Sequence, residues 1–134
     1  MEIWNGRILN MNNNNIELTQ EDMDMGKYIY SILLAQPTII MSWGFQSPVV
    51  IKLGLRFRVN GFLHQGVVVV KYNEGADLFD IYLLDNANQV KETIEEIYFD
   101  ELVEVIDNHV ERVVNYNERV NEEYNIINYD EESN

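Results

Sequence analysis

The sequence has 134 residues, of which 46% are hydrophobic and none is Cys, and its formal net charge is −14. This length predicts one domain whose core is large enough to be stable without cross-links. The absence of Cys excludes a disulfide scaffold, a thiolate metal site and a cysteine nucleophile. No stretch approaches the roughly 20 apolar residues of a membrane span, and the start lacks the basic and apolar regions of a signal peptide. We therefore expect a soluble cytoplasmic protein that does not bind membranes.

The charges are distributed unevenly along the chain. Residues 1–24 carry a net charge of −4, residues 25–73 carry +5 without a single acid, and residues 74–134 carry −15. A chain this acidic disfavours indiscriminate binding to nucleic acid. Two interpretations of the acid-free segment stay open. Its bases pair with acids from the C-terminal half, or they form a basic strip that binds an anionic partner.

The N-terminal part predicts an arm followed by one helix. Residues 1–18 are expected to be a flexible or loosely packed arm. Thr19 is a suitable N-cap, and apolar residues then recur at helical spacing as far as Gln36. Pro37 is expected to end this helix because it cannot continue the hydrogen-bond ladder. The β-branched run at residues 38–41 predicts a short strand.

The middle of the chain predicts an antiparallel meander of at least four strands. The strands are expected at about residues 52–59, 62–72, 78–84 and 89–97. In the first of them, alternate apolar residues are expected to face the core: Leu53, Leu55, Phe57 and Val59. Asn60-Gly61 predicts a two-residue hairpin turn. That turn places His64 opposite Phe57 on the core side, unless a bulge at 65–66 reverses the register.

The last third predicts a long amphipathic helix capped by Asp100. One apolar stripe is expected to pack on the sheet: Phe99, Leu102, Val103, Ile106, Val110 and Val113. Steps of three and four continue the stripe as a coiled-coil heptad through Val120 and Tyr124. A continuous helix over 99–127 is about 43 Å long, longer than a domain roughly 30 Å across. Either the distal half frays into an acidic tail, or it pairs with another copy.

Together these patterns predict an α+β fold. It has an N-terminal helix, an antiparallel β-meander of four to five strands and a long C-terminal amphipathic helix packed on one sheet face. Residues 1–134 are expected to form a single domain. Its compact core spans 19–114, and residues 115–134 form a helical extension and acidic tail.

The sequence contains no recognisable catalytic constellation. It lacks a phosphate loop, a dinucleotide fingerprint, a zincin motif and a nucleophile elbow. We expect His64 to be a hydrogen-bonded structural residue. We therefore predict no catalytic, cofactor-binding or metal-binding residues and no cofactor.

The best candidates for function are residues that can contact a partner. Arg56 and Arg58 alternate with the aromatic Phe57, so the basic and aromatic side chains face opposite sides of the strand. This arrangement makes nucleic acid an unlikely ligand but suits the acids of a partner protein. The full candidate interaction surface comprises the aromatic residues of the connection at 42–48, the two arginines and the distal heptad: Trp43, Phe45, Arg56, Arg58, Val113, Val120 and Tyr124.

Residues 41–112 also carry a family resemblance. The similar segments are SWGF at 42–45, LRFRVNGF at 55–62, YNEGADLF at 72–79 and YFDEL at 98–102. On these segments the chain resembles a family of small acidic bacterial proteins with no known activity. The resemblance implies a compact unit preceded by an extension, and it implies no reaction.

We expect a non-enzymatic protein-interaction or accessory module whose partner is itself or another protein. The alternative is an acidic protein that imitates the phosphate charge of DNA and inhibits a nucleic-acid-binding protein, since eighteen acids follow residue 73. An enzyme acting through carboxylates or His64 is the third hypothesis.

Overall fold

The computed structural model describes residues 17–112, which form an α+β fold of three α-helices and a five-stranded antiparallel sheet. The elements in chain order are α1 (Gln20–Leu34), α2 (Pro37–Ser42), β1 (Gln46–Ile51), β2 (Gly54–Asn60), β3 (Gln65–Asn73), β4 (Leu78–Leu84), β5 (Val90–Ile97), a 3-10 turn (Phe99–Glu101) and α3 (Leu102–Val110). The extension predicted at 115–134, and all but the last two residues of the predicted arm, lie outside the described residues. None of the three helices is long and apolar enough to cross a lipid bilayer.

The sheet is a meander in which each strand pairs with the next along the chain, in the order β1-β2-β3-β4-β5. One face packs against the helices and forms a single core. The sheet contributes these buried residues: Val50, Leu55, Phe57, Val59, Val68, Val70, Phe79, Ile81 and Leu83. The helices contribute a second set: Ile29, Leu33, Ile40, Leu102, Val103, Ile106 and Val110. The predicted meander is thereby confirmed, and we call its opposite side the outer face.

Helix α1 begins where the sequence predicts. The Thr19 hydroxyl accepts the amide of Asp22 at 3.1 Å, and the Asp22 carboxylate accepts the amide of Thr19 at 2.9 Å, which is a complete capping box. The other Asp22 oxygen accepts the amide of Leu53 at 3.0 Å, so the same carboxylate ties the helix to the β1–β2 turn. The strand predicted at 38–41 is wrong. Pro37 occupies the first turn of α2, where its missing N–H costs nothing, and so starts a helix.

Two predictions about the first strands are also wrong. Leu53 was expected to face the core from a strand, but it lies in the β1–β2 turn with φ of 51°. The predicted two-residue turn at Asn60 is instead a four-residue loop, because Asn60 pairs with Gln65. Phe57 consequently opposes Val68 rather than His64.

Gly61 in this loop is required by packing rather than by a turn conformation. A Cβ at Gly61 would collide with the carbonyl oxygen of Val110, at the end of α3. That carbonyl accepts the amides of Leu63 at 2.7 Å and His64 at 3.2 Å. The β2–β3 loop and the C-terminus of α3 are therefore held together by backbone contacts.

The same contacts correct the prediction of a long C-terminal helix. The carbonyl of Val110 already bonds the loop, and the amides of Glu111 and Arg112 both return to the carbonyl of Asp107, so α3 ends at Val110. At the other end a 3-10 turn precedes α3, and Asp100 makes no capping bond. Phe99 is 53% exposed and does not belong to the buried stripe. The heptad beyond residue 112 lies outside the described part of the chain.

Both outer strands of the sheet are irregular. The register of β1 shifts around Ser47, whose φ is 57°, and Pro48. The register of β5 shifts twice. At one shift Glu96 adopts φ of 60° and its amide donates to the buried carboxylate of Asp80 at 3.0 Å. Such bulges interrupt the ladder and increase local twist.

Candidate interaction surface

Two arginines lie side by side on the outer face. Arg56 and Arg58 alternate on β2 with the buried Leu55, Phe57 and Val59, and the period of two turns the arginines away from the helices. Residues two apart on one face of a strand are neighbours, so the guanidinium groups share one side of the sheet. This placement agrees with the sequence analysis.

Each arginine is anchored by an asparagine from the β4–β5 loop. Arg56 Nη2 donates to Asn88 Oδ1 at 2.8 Å, and Arg58 Nη2 donates to Asn86 Oδ1 at 2.7 Å. Because β3 lies between β2 and β4, both side chains reach across about 10 Å, the distance from β2 to β4. They pass over two outward-facing valines of β3: Arg56 pairs in register with Val69, and Arg58 pairs with Val67. Val67 is accordingly fully buried although it lies on the outer face.

The β4–β5 loop is itself built to hold the asparagines. The carboxylate of Asp85 accepts the amides of Ala87 at 2.8 Å and Gln89 at 2.9 Å. These two hydrogen bonds lower the pKa of Asp85, the one from Gln89 most strongly. Asn88 adopts φ of 65°, a conformation that Asn tolerates better than most residues. The loop therefore presents its two side-chain amides in a defined position.

The arginines are not neutralised by the described residues. Each guanidinium has five N–H donors and uses one of them in a side-chain hydrogen bond within residues 17–112. Burial lowers the pKa of Arg56, and the positive charge of Arg58 lowers it further. Within residues 17–112 the side-chain partners of both arginines are neutral amides and not the acids of the C-terminal half. A bound anion would relieve the repulsion and occupy the remaining donors.

Trp43 is not part of this surface. Its side chain is fully buried, its ring stacks on Phe57 with centroids 6.3 Å apart, and Nε1 donates to Asp107 Oδ1 at 2.9 Å. We expected Trp43 to contact a partner, but its side chain lies inside the core, where it joins α2 to α3. Gly44 and Pro48 nearby suggested an exposed connection, but the long-range bond to Asp107 leaves no signal in the local sequence.

Phe45 is half-buried beside the same cluster. Its ring stacks on Tyr30 at 5.9 Å and is tilted against Phe57 at 4.6 Å. It therefore packs mainly on the core. The remaining candidates, Val113, Val120 and Tyr124, lie outside the described residues.

His64 is buried and hydrogen-bonded, as expected. Its Nε2 lies 3.2 Å from the carbonyl of Val67, and its Nδ1 lies 3.0 Å from Nζ of Lys91. A lysine only donates, so this geometry requires an unprotonated Nδ1 and a proton on Nε2. Burial lowers the pKa of His64, and Lys91 adds to that effect, which outweighs the opposing bond to Val67.

Sequence analysis missed a second surface feature. A pocket of about 220 Å³ is lined by aromatic side chains from three separate segments. They are Tyr28 of α1, Tyr72 and Phe79 of the β3–β4 hairpin, and Tyr98 and Phe99 after β5. The adjacent Tyr98-Phe99 pair is the one local signal, but the heptad pattern assigned Phe99 to the core.

Comparisons with known proteins give no match. No protein-family model, no curated protein and no solved structure is significantly similar to this chain. The functional argument therefore rests on the geometry of the chain itself.

Proposed function

We propose that this chain is a non-enzymatic, self-associating interaction module that binds carboxylates through the Arg56/Arg58 surface. The observation that carries the proposal is a pair of anchored guanidinium groups with unused donors and no carboxylate partner among the described residues. A guanidinium forms paired hydrogen bonds with a carboxylate, so two adjacent ones suit an acidic segment. The asparagine anchors reduce the entropy that the side chains would lose on binding.

The partner is a second copy of the chain, by charge complementarity. Exposed acids gather on β5, in the following 3-10 turn and in the first turn of α3: Glu92, Glu95, Glu96, Asp100, Glu101 and Glu104. In one copy these acids form no salt bridge with either arginine. In two copies, each acidic edge can contact the arginine pair of the other, which is the reciprocal contact of a two-fold dimer.

The experiment is the solution mass of the full chain by light scattering. We expect a dimer at low salt for the natural sequence and a monomer for the double variant Arg56→Gln/Arg58→Gln. The matched control, Lys27→Gln/Arg112→Gln, removes the same charge elsewhere and should remain dimeric. A monomeric natural chain, or a double variant that stays dimeric, would refute the proposal.

A further variant separates this surface from the distal heptad. Val113→Asp/Val120→Asp places two charges on the predicted coiled-coil seam, which abolishes a dimer formed there. Under the arginine proposal this variant remains dimeric. A folded monomer would instead assign self-association to the distal segment.

The acidic surface supports a second candidate, the DNA-mimic inhibitor. Glu92, Glu95 and Glu96 are exposed on an outer strand, and acids continue into the following turn. Titration with a basic DNA-binding protein tests this candidate. Binding that is strong at low salt and collapses at high salt would support it. No binding at low salt would eliminate it.

A further inference from the structure

The aromatic pocket lies where α1, the β3–β4 turn and the segment after β5 meet. Three of its side chains are strongly exposed: Tyr28 at 45%, Tyr98 at 59% and Phe99 at 53%. Tyr72 forms a further part of the lining and packs on Phe79 with ring centroids 5.5 Å apart. Single exposed aromatic residues are ordinary, but several around one concavity indicate a binding site.

The surroundings of the pocket are acidic. The carboxylate of Asp77 lines it and accepts the hydroxyl of Tyr72 at 2.5 Å. That hydrogen bond raises the pKa of the Tyr72 hydroxyl, and the charges of Asp77, Glu74 and Glu21 raise it further. Among residues 17–112, neither Lys nor Arg lines the pocket. The described lining of the pocket therefore combines aromatic rings with the negative charge of Asp77.

This combination selects the charge of the ligand. The faces of aromatic rings carry partial negative charge and attract cations. An anion would be repelled by Asp77, whereas a neutral apolar group would gain nothing from its charge. A weakly hydrated cation loses little on leaving water, so a methylated ammonium fits this lining better than a strongly hydrated one.

We propose that this pocket binds a quaternary ammonium group, which contacts the aromatic side chains while Asp77 supplies the counter-charge. The site is independent of the Arg56/Arg58 surface, because it is formed by different elements. The group is presented either by a small amine such as choline or by a trimethylated lysine of another protein.

The test is calorimetric titration of the full chain with choline, with its neutral isostere 3,3-dimethylbutan-1-ol, and with an acetylated trimethyllysine amide. We expect choline to bind at least tenfold more tightly than the isostere. Tighter binding of the lysine derivative than of choline would identify a protein-borne group, and the reverse a small molecule. Absence of choline binding at millimolar concentration, or equal binding of the isostere, would overturn the proposal.

Variants locate the binding to this pocket. Tyr98→Ala/Phe99→Ala removes two exposed rings and should weaken choline binding about tenfold. Asp77→Asn keeps the shape and tolerates the φ of 60° at this position, and it should weaken binding several-fold. Met41→Ala truncates a side chain that is 74% exposed and does not line the pocket, so it should leave affinity unchanged. Unaltered affinity in the first two variants would place binding elsewhere and refute the assignment.

Discussion

Replacing Asp22 with Ala should destabilise the fold through two separate hydrogen bonds. Asp22 is 1% exposed. One carboxylate oxygen accepts the amide of Thr19 at 2.9 Å, and the other accepts the amide of Leu53 at 3.0 Å. Alanine leaves both amide donors without this acceptor. The first belongs to the N-terminus of α1 and the second to the strained β1–β2 turn, so one substitution affects two junctions.

The magnitude follows from these contacts. A buried donor that loses its acceptor costs about 1–3 kcal/mol, and water can reach the amide of Thr19 more easily than that of Leu53. Lys52 Nζ lies 3.9 Å from the carboxylate but its side chain is 61% exposed, so that ion pair contributes at most about 1 kcal/mol. We expect a total loss of about 3 kcal/mol in the free energy of unfolding.

Urea unfolding followed by circular dichroism at pH 7 measures this loss. The control is Asp24→Ala, which removes an exposed acid of the same helix that accepts only the side chain of Gln20 at 2.8 Å. The control should change stability by less than about 0.5 kcal/mol. If Asp22→Ala costs less than about 1 kcal/mol, the two amides are satisfied in another way and the reasoning fails.

The pH dependence gives an independent check on Asp22. Burial raises its pKa, but the hydrogen bonds from Thr19 and Leu53 together with Lys52 outweigh burial and lower it below 3.8. The carboxylate therefore contributes its stability above the unfolded pKa and loses it as the pH falls through the lower folded value. The stabilities of the natural chain and of Asp22→Ala should converge below pH 3.8, and a constant difference down to pH 2 would contradict this assignment.

Three further substitutions test the packing. Gly61→Ala should destabilise the chain by about 1–3 kcal/mol in urea unfolding, because the new Cβ meets the carbonyl of Val110; an unchanged midpoint would mean that the loop moves freely. Trp43→Phe should cost about 2 kcal/mol by the same assay, since it removes the donor to Asp107 and leaves a small void. His64 has a lowered pKa, so the unfolded chain takes up its proton first and stability should fall as the pH drops below 6.5. His64→Gln should reduce this loss of stability between pH 7 and 5.5. If both proteins lose stability equally over this range, the loss comes from another titrating group.

Local patterns predicted those parts of the fold in which neighbouring residues decide the structure. The alternation of Leu55, Phe57 and Val59 predicts β2, and Thr19 as an N-cap predicts the start of α1. Contacts between distant segments decided the rest. Asn60 does not form a tight turn, because α3 packs against the adjacent glycine.

The candidate site was predictable to the same limited extent. Alternation placed Arg56 and Arg58 on the outer face. Their partners Asn86 and Asn88 lie beyond the intervening strand β3, and the spacing of residues in the sequence does not predict such a contact. Trp43 was misassigned because its bond to Asp107 spans 64 positions. The aromatic pocket joins three segments that are far apart in the chain, so no local motif reveals it.

The irregular outer strands determine how copies of this chain can meet. A regular, uncharged edge invites another strand to pair and leads to aggregation. Pro48 lacks the N–H that such pairing requires in β1, and the exposed acids of β5 would face like charges in a second copy. Growth of the sheet from one molecule to the next is therefore disfavoured at both ends. Under the proposed self-association, copies would therefore meet through side chains and not through strand pairing, so their contact would not extend the sheet from molecule to molecule.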